Sequence, residues 1–177
     1  MQSFIDITGH QKSALWDHLL PAGATTESAA FIFARAQQSA HSLTLRAEDL
    51  MLVGADGFKV QDNDFIELSD ECRIAVIKRA HQTNTALIEL HSHPFDSPWA
   101  PAFSFADMAG FRDTVPHLWW RLPDRPYGAI VVAPNGFDSL VWQNSPHTPA
   151  CLTALRVDGE EMFPTDMTLG GRHVSHM

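Results

Sequence analysis

With 177 residues and 45% hydrophobic content, the chain suits one globular domain with a sizeable core, and a second domain would be hard to fit. A net charge of −9, with twelve scattered Lys and Arg residues, speaks against a nucleic-acid or anionic-membrane surface, because both call for clustered cations. Cys72 and Cys151 make no disulfide framework, no charged-then-apolar leader opens the chain and no apolar run approaches a membrane span, so a reducing cytoplasm is the expected compartment.

In chain order, Ser3 to Ile7 reads as a short strand. Thr8 can cap a helix from Gly9 to about Leu20 that turns Leu15, Leu19 and Leu20 inward before Pro21-Ala-Gly23 stops it. Ala29 to Ala36 is a strand preceded by Glu27. Ser42 to Val53 alternates as a strand, with Arg-Ala-Glu-Asp as a bulge or turn inside it, and Gly54-Ala-Asp-Gly57 is a turn. Phe58 to Leu68 is expected to be extended. Ser69-Asp-Glu71 opens a helix to about Gln82, with acids at its positive end and Lys78, Arg79 and His81 near its negative end.

The most informative stretch follows. Thr85 to Leu90 is an apolar run ending in His91-Ser-His93-Pro94, and on a strand two histidines one residue apart project from the same face. Pro94 cannot donate to a sheet ladder, so the strand is expected to stop there and leave the pair at its rim. After a proline-broken loop, Ser104 reads as an N-cap and places Asp107 one turn inside a helix that runs to about Val115, where Pro116 ends or kinks it. Two imidazoles and one carboxylate form a three-ligand set for a catalytic zinc ion, with a fourth position left to water. A solvated strand end followed by an ordinary capped helix is the competing reading. Downstream, Tyr127 to Ala133 and Phe137 to Gln143 flank Pro134-Asn-Gly136 as a hairpin, and a further strand or two with a loose end is expected after Pro149. Strands interleaved with three helices make an α/β sandwich.

At His91-Ser-His93-Pro94 and Ser104-Phe-Ala-Asp107 the sequence resembles the JAMM (MPN-type, Mov34/PAD-1-like) zinc metalloproteases, nearest to the short prokaryotic JAB-type members. The resemblance implies one Zn2+ per chain on His91, His93 and Asp107, and an upstream catalytic acid near the start of an early strand, which Glu27 supplies. It implies a single-domain, cytidine-deaminase-like α-β-α sandwich with a mixed, curved sheet over residues 1–145. Residues 146–177 would be a C-terminal extension packing on the same domain, with a loose end. The chain departs in one respect: thirteen residues, Pro94 to Ala106, separate His93 from Asp107, three more than the family's usual spacing. The surplus precedes Ser104, so the helix start is intact.

In this reading zinc acidifies a water for attack on an amide carbonyl, and Glu27 takes the proton and passes it to the leaving amine. Glu89 shares the strand face of His91 but lies one repeat of about 7 Å farther from the rim, so Glu27 is the preferred base. Ser104 has two candidate roles, an oxyanion donor by the resemblance and a helix cap by its position. His10, His18, His41 and His81 are expected to be solvated. His117 sits beside Trp119 and Trp120, which read as core or partner-facing aromatics, and His173 and His176 read as tail residues. Cys151 lacks the basic surroundings of a thiol nucleophile. Phe95, Trp99 and Phe103, set among prolines in the surplus loop, suit an apolar contact with a partner, and the competing reading is that Trp99 folds back to cover the chain's own core.

The substrate implied by the resemblance is a ubiquitin-like protein or its conjugates, cut after a C-terminal tail lying extended along a strand edge, alongside E1/E2-like activating enzymes. A sulfur-carrier protein is the alternative substrate, and a non-catalytic MPN scaffold the alternative function. The group associated with DNA repair continues His-x-His-Pro with Ser-Gly, whereas Phe95-Asp96 follows here. The His-x-His hydrolases on β/α barrels need about 250 residues and place the motif first.

Overall fold

A computed structural model describes residues 1–170; His173 and His176 lie outside them. The strands are β1 (Gln2–Ile7), β2 (Ala29–Gln38), β3 (Ser42–Leu52), β4 (Phe58–Gln61), β5 (Ile66–Leu68), β6 (Ala86–Ser92), β7 (Tyr127–Ala133), β8 (Gly136–Trp142), β9 (Ala150–Cys151), β10 (Ala154–Val157) and β11 (Glu160–Met162). The helices are α1 (Gly9–Leu19), α2 (Asp70–Thr83), α3 (Phe105–Arg121) and the single turn α4 (Met167–Gly170). Nine strands form one mixed sheet in the order β11-β10-β1-β3-β2-β6-β7-β8-β9, and β4 and β5 form a separate two-stranded ribbon.

Period-two alternation along central strands buried on both faces builds two cores. Ala30, Ile32 and Ala34 of β2, with Ile88 and Leu90 of β6, face one cluster that takes Leu15 and Leu19 from α1. Ala29, Phe31 and Phe33, with Leu87 and Val131, face the other, which takes Val76 and Ala80 from α2 and Phe111 and Val115 from α3. Each large side chain fully removed from water contributes about 1.5–3 kcal/mol, so the sheet is fixed in register by both layers. The result is a mixed α/β fold with a curled sheet flanked by helices. No helix among the described residues is long and apolar enough to cross a membrane.

Local chemistry explains the helix ends. Thr8 and Gln11 form a reciprocal capping box at α1, and Ser69 accepts from Cys72 N–H at α2. α2 ends on Asn84 in the left-handed region (φ 55°), where an asparagine is tolerated.

Two expectations need correction, and one open choice is decided. The helix from Ser104 does not stop at Val115: it continues through Pro116 to Arg121, and because Arg112 is exposed, water can serve the carbonyl that Pro116 leaves without a helical partner. Phe58 to Leu68 is not one extended run but the β4–β5 ribbon. Of the two readings of the Arg-Ala-Glu-Asp interruption the bulge is the one observed, since Phe33 pairs with Asp49 and Ala34 with Ala47, leaving Glu48 as the extra residue. The segment after residue 145 is woven into the main sheet, with β9 on β8 and β10 parallel to β1.

Candidate metal centre

β2 and β6 run antiparallel with Ala29 opposite His91, so the start of one strand lies beside the end of the other. Extending that register sets Glu27 opposite His93 on the same sheet face. The junction is held by Ser92 N–H to Ser28 O (3.0 Å), Ser28 N–H to Ser92 Oγ (2.9 Å) and His93 N–H to Val132 O (2.8 Å). The ribbon fixes Glu27 from outside: Glu27 N–H donates to Asp62 O and Gln61 Nε2 donates to Glu27 O, each at 2.9 Å.

Asp107 comes from the first turn of α3. Ser104 Oγ accepts from Asp107 N–H at 3.1 Å, and Asp107 Oδ2 accepts from Ser104 N–H at 2.7 Å. This capping box uses the hydroxyl oxygen only as an acceptor, so the O–H of exposed Ser104 remains able to donate. The cap and the oxyanion role are therefore compatible.

The three side chains converge. Asp107 Oδ2 lies 3.4 Å from His91 Nε2 and 3.7 Å from His93 Nε2, and a ligand atom from each of the three residues lies within 4.8 Å of the others. Ligand atoms about 2.1 Å from a tetrahedral ion are about 3.4 Å apart, so the set has the dimensions of a metal cage. His91 is buried, and its Nε2 has no hydrogen-bond partner, so the approach to Asp107 is electrostatic attraction and not an aligned hydrogen bond. A buried imidazole nitrogen left without a partner costs free energy unless something coordinates it, and the residues present fit a divalent ion. Glu27 Oε1 stands 3.6 Å from His93 Nε2, beside the cage.

The electrostatics agree with this division. Burial alone would raise the Asp107 carboxyl, yet the facing imidazoles of His91 and His93 and the side chain of Ser104 hold it well below the usual carboxylate range, as a ligand requires. Burial alone would lower His91, but Asp107, Glu27 and Glu89 carry its pKa upward. Glu27 is raised, first by burial and against the pull of His91 and His93. Glu89 is also raised, first by burial, although the residue keeps some exposure, and its carboxylate is engaged by the Tyr127 hydroxyl.

The loop between His93 and Asp107 is held through Phe103 and through Thr165, Thr168 and Asp138, which sequence reading missed. Phe103 is buried, 5.7 Å from the His91 ring and 5.3 Å from Phe111 between centroids. Its N–H donates to Thr168 Oγ1 (3.0 Å), and Thr168 Oγ1–H donates to Asp138 Oδ2 (2.6 Å). Asp138 also accepts from the N–H groups of Ser139, Asp166 and Thr168, while Thr165 Oγ1–H donates to Pro101 O at 2.6 Å. The available signal was an acid, Asp138, inside an otherwise apolar strand.

Other candidates separate clearly. Trp99 is 76% exposed, so it does not cover the core, and Phe103 fills that role. His18 is not simply solvated: its Nε2 lies 3.0 Å from Ala29 O and 3.3 Å from Ser28 Oγ, tying α1 to the strand that follows Glu27. His10, His41, His81 and His117 are exposed, and so is Trp120, whereas Trp119 packs on the second core. Burial, reinforced by the Asp166 carboxylate, pushes the Cys151 thiol up to about 12, the opposite of what a nucleophile needs. No protein-family model and no curated protein matches the chain.

Proposed function

We propose that the chain is a zinc-dependent peptidase or isopeptidase of the JAMM type, with an MPN-type fold, acting after the C-terminal tail of a ubiquitin-like protein. The observation that carries this reading is the convergence of four side chains, His91, His93, Asp107 and Glu27, in the chain order of the motif they resemble. His91, His93 and Asp107 would hold the ion, which when bound supplies Lewis-acid polarisation and an acidified water. Glu27, buried and raised in pKa, accepts a proton on the substrate-facing side and returns it to the leaving amine. Ser104 donates its free O–H toward the oxygen that gathers charge. The finer fold identity, a cytoplasmic location and a pathway with E1/E2-like enzymes belong to the same proposal.

The test is cleavage of a ubiquitin-like protein fused through its C-terminus to a reporter, by zinc-loaded protein and by Glu27→Gln. Release of the reporter at the tail by the parent and not by the variant supports the reading. Equal release by both, or release that survives removal of zinc by a chelator, rejects it.

A further inference from the structure

The Phe95 ring stacks on the ring of His93, with centroids 5.7 Å apart and planes at 20°. Beyond it opens a surface pocket of about 310 Å³ lined by Phe95, Asp96, Ser97, Pro98, Pro134 and Asn135. That volume is at the small end for ligand sites and has room for one long side chain. The walls are preformed: Asn135 Nδ2 donates to Trp99 O (3.0 Å), Trp99 N–H donates to Ser97 Oγ (3.1 Å) and three prolines, Pro94, Pro98 and Pro134, restrict the backbone.

The chemistry of the walls is asymmetric. Phe95, Pro98 and Pro134 are apolar, and Asp96 is the one charged residue among the lining six. The stretches of chain around the two lining segments, residues 80–111 and 126–155, contain no lysine or arginine. An aliphatic stem bearing a cation matches this lining, with the stem against the prolines and the head near Asp96, and an aromatic face adds cation–π attraction. The charges of a bound divalent ion would be balanced by Asp107 and Glu27, so the neighbouring centre does not repel a second cation.

We propose that this pocket is a specificity site for a lysine or arginine side chain of the substrate, next to the bond that is cut, with Phe95 as the wall shared with the metal centre and Asp96 as the charge reader. The assignment rests on the peptidase reading, and the test separates the two. Fluorescent peptides carrying Lys, Arg, norleucine or Glu immediately before or after the scissile bond are titrated into zinc-loaded Glu27→Gln, with anisotropy reporting affinity, and the same peptides are given to the parent protein for turnover. Lys and Arg at one of the two positions are expected to bind at least tenfold more tightly than norleucine, and Asp96→Asn on that background to reduce the difference to within twofold with zinc content unchanged. Equal affinity for Lys and norleucine at both positions, or a preference untouched by Asp96→Asn, overturns the pocket assignment. The expected affinity pattern without turnover of any peptide by the parent overturns the peptidase reading and leaves the pocket standing. Turnover without cationic preference does the reverse.

Discussion

Thr168 donates its hydroxyl proton to the buried Asp138 carboxylate at 2.6 Å, and the same oxygen accepts the Phe103 N–H at 3.0 Å. One side chain thus fixes the loop between two candidate metal ligands, His93 and Asp107, through a ring that packs on His91. Thr168→Val keeps the shape but breaks both bonds. The expected result is a loss of about 1–3 kcal/mol in stability, read by denaturant unfolding, together with weaker zinc affinity. Unchanged zinc affinity would confine Thr168 to a local structural role.

The loop aromatics make opposite predictions. Phe103 is buried against His91 and Phe111, so Phe103→Ala is expected to cost about 3–5 kcal/mol. Trp99 is mostly exposed, and Trp99→Ala is expected to stay within about 0.5 kcal/mol of the parent. If Trp99→Ala cleaves with a raised KM at unchanged melting temperature, its ring meets a partner. An unchanged KM would remove it from recognition.

How far the sequence could be read follows from how local each signal is. His91, His93, Ser104 and Asp107 were legible because a period-two strand and a first helical turn fix their directions within a few residues. Glu27 was reached by resemblance, and its placement opposite His93 depends on a β2–β6 register that no local pattern encodes. Thr168 and Gln61 were invisible because their partners are distant in sequence, Phe103 and Thr168 being 65 residues apart, and Asp138 showed only as an acid in an apolar strand with nothing local to name its partners. The reach of α3 past Pro116 was missed because propensity counts a proline as a stop, while solvent at an exposed turn and the burial of Val115 sustain the helix.

Glu27→Gln removes the proposed base while preserving size. Turnover is expected to fall by about 10²-fold or more with zinc still bound. In metal-free protein the carboxyl is raised by burial, so the folded state holds the proton more tightly than the unfolded chain does. Stability from this group is therefore greatest at acid pH and declines as pH rises from the ordinary glutamate value of 4.5 through the raised one. Metal-free Glu27→Gln should escape that decline and melt above the metal-free parent at neutral pH. A lower melting temperature for the variant would contradict the burial argument. Glu89→Gln abolishing turnover while Glu27→Gln retains it would move the base to Glu89.

Thiol chemistry should be silent. Cys151 is pushed up to about 12, and Cys72 is buried and also raised, first by burial and then by Asp56. Iodoacetamide at pH 7.5 is expected to leave both unmodified by mass spectrometry in the folded protein and to leave cleavage intact, while a zinc chelator stops it. Inactivation that tracks alkylation would point to a thiol mechanism instead.

The central claim is that His91, His93 and Asp107 form one metal site, and zinc stoichiometry tests it most directly. Elemental analysis of protein purified from zinc-supplemented medium should give one zinc per chain. His91→Ala, His93→Ala and Asp107→Ala should each lose it, and Glu27→Gln should keep it. A parent protein that takes up no zinc, or full occupancy in all three ligand variants, would contradict the account.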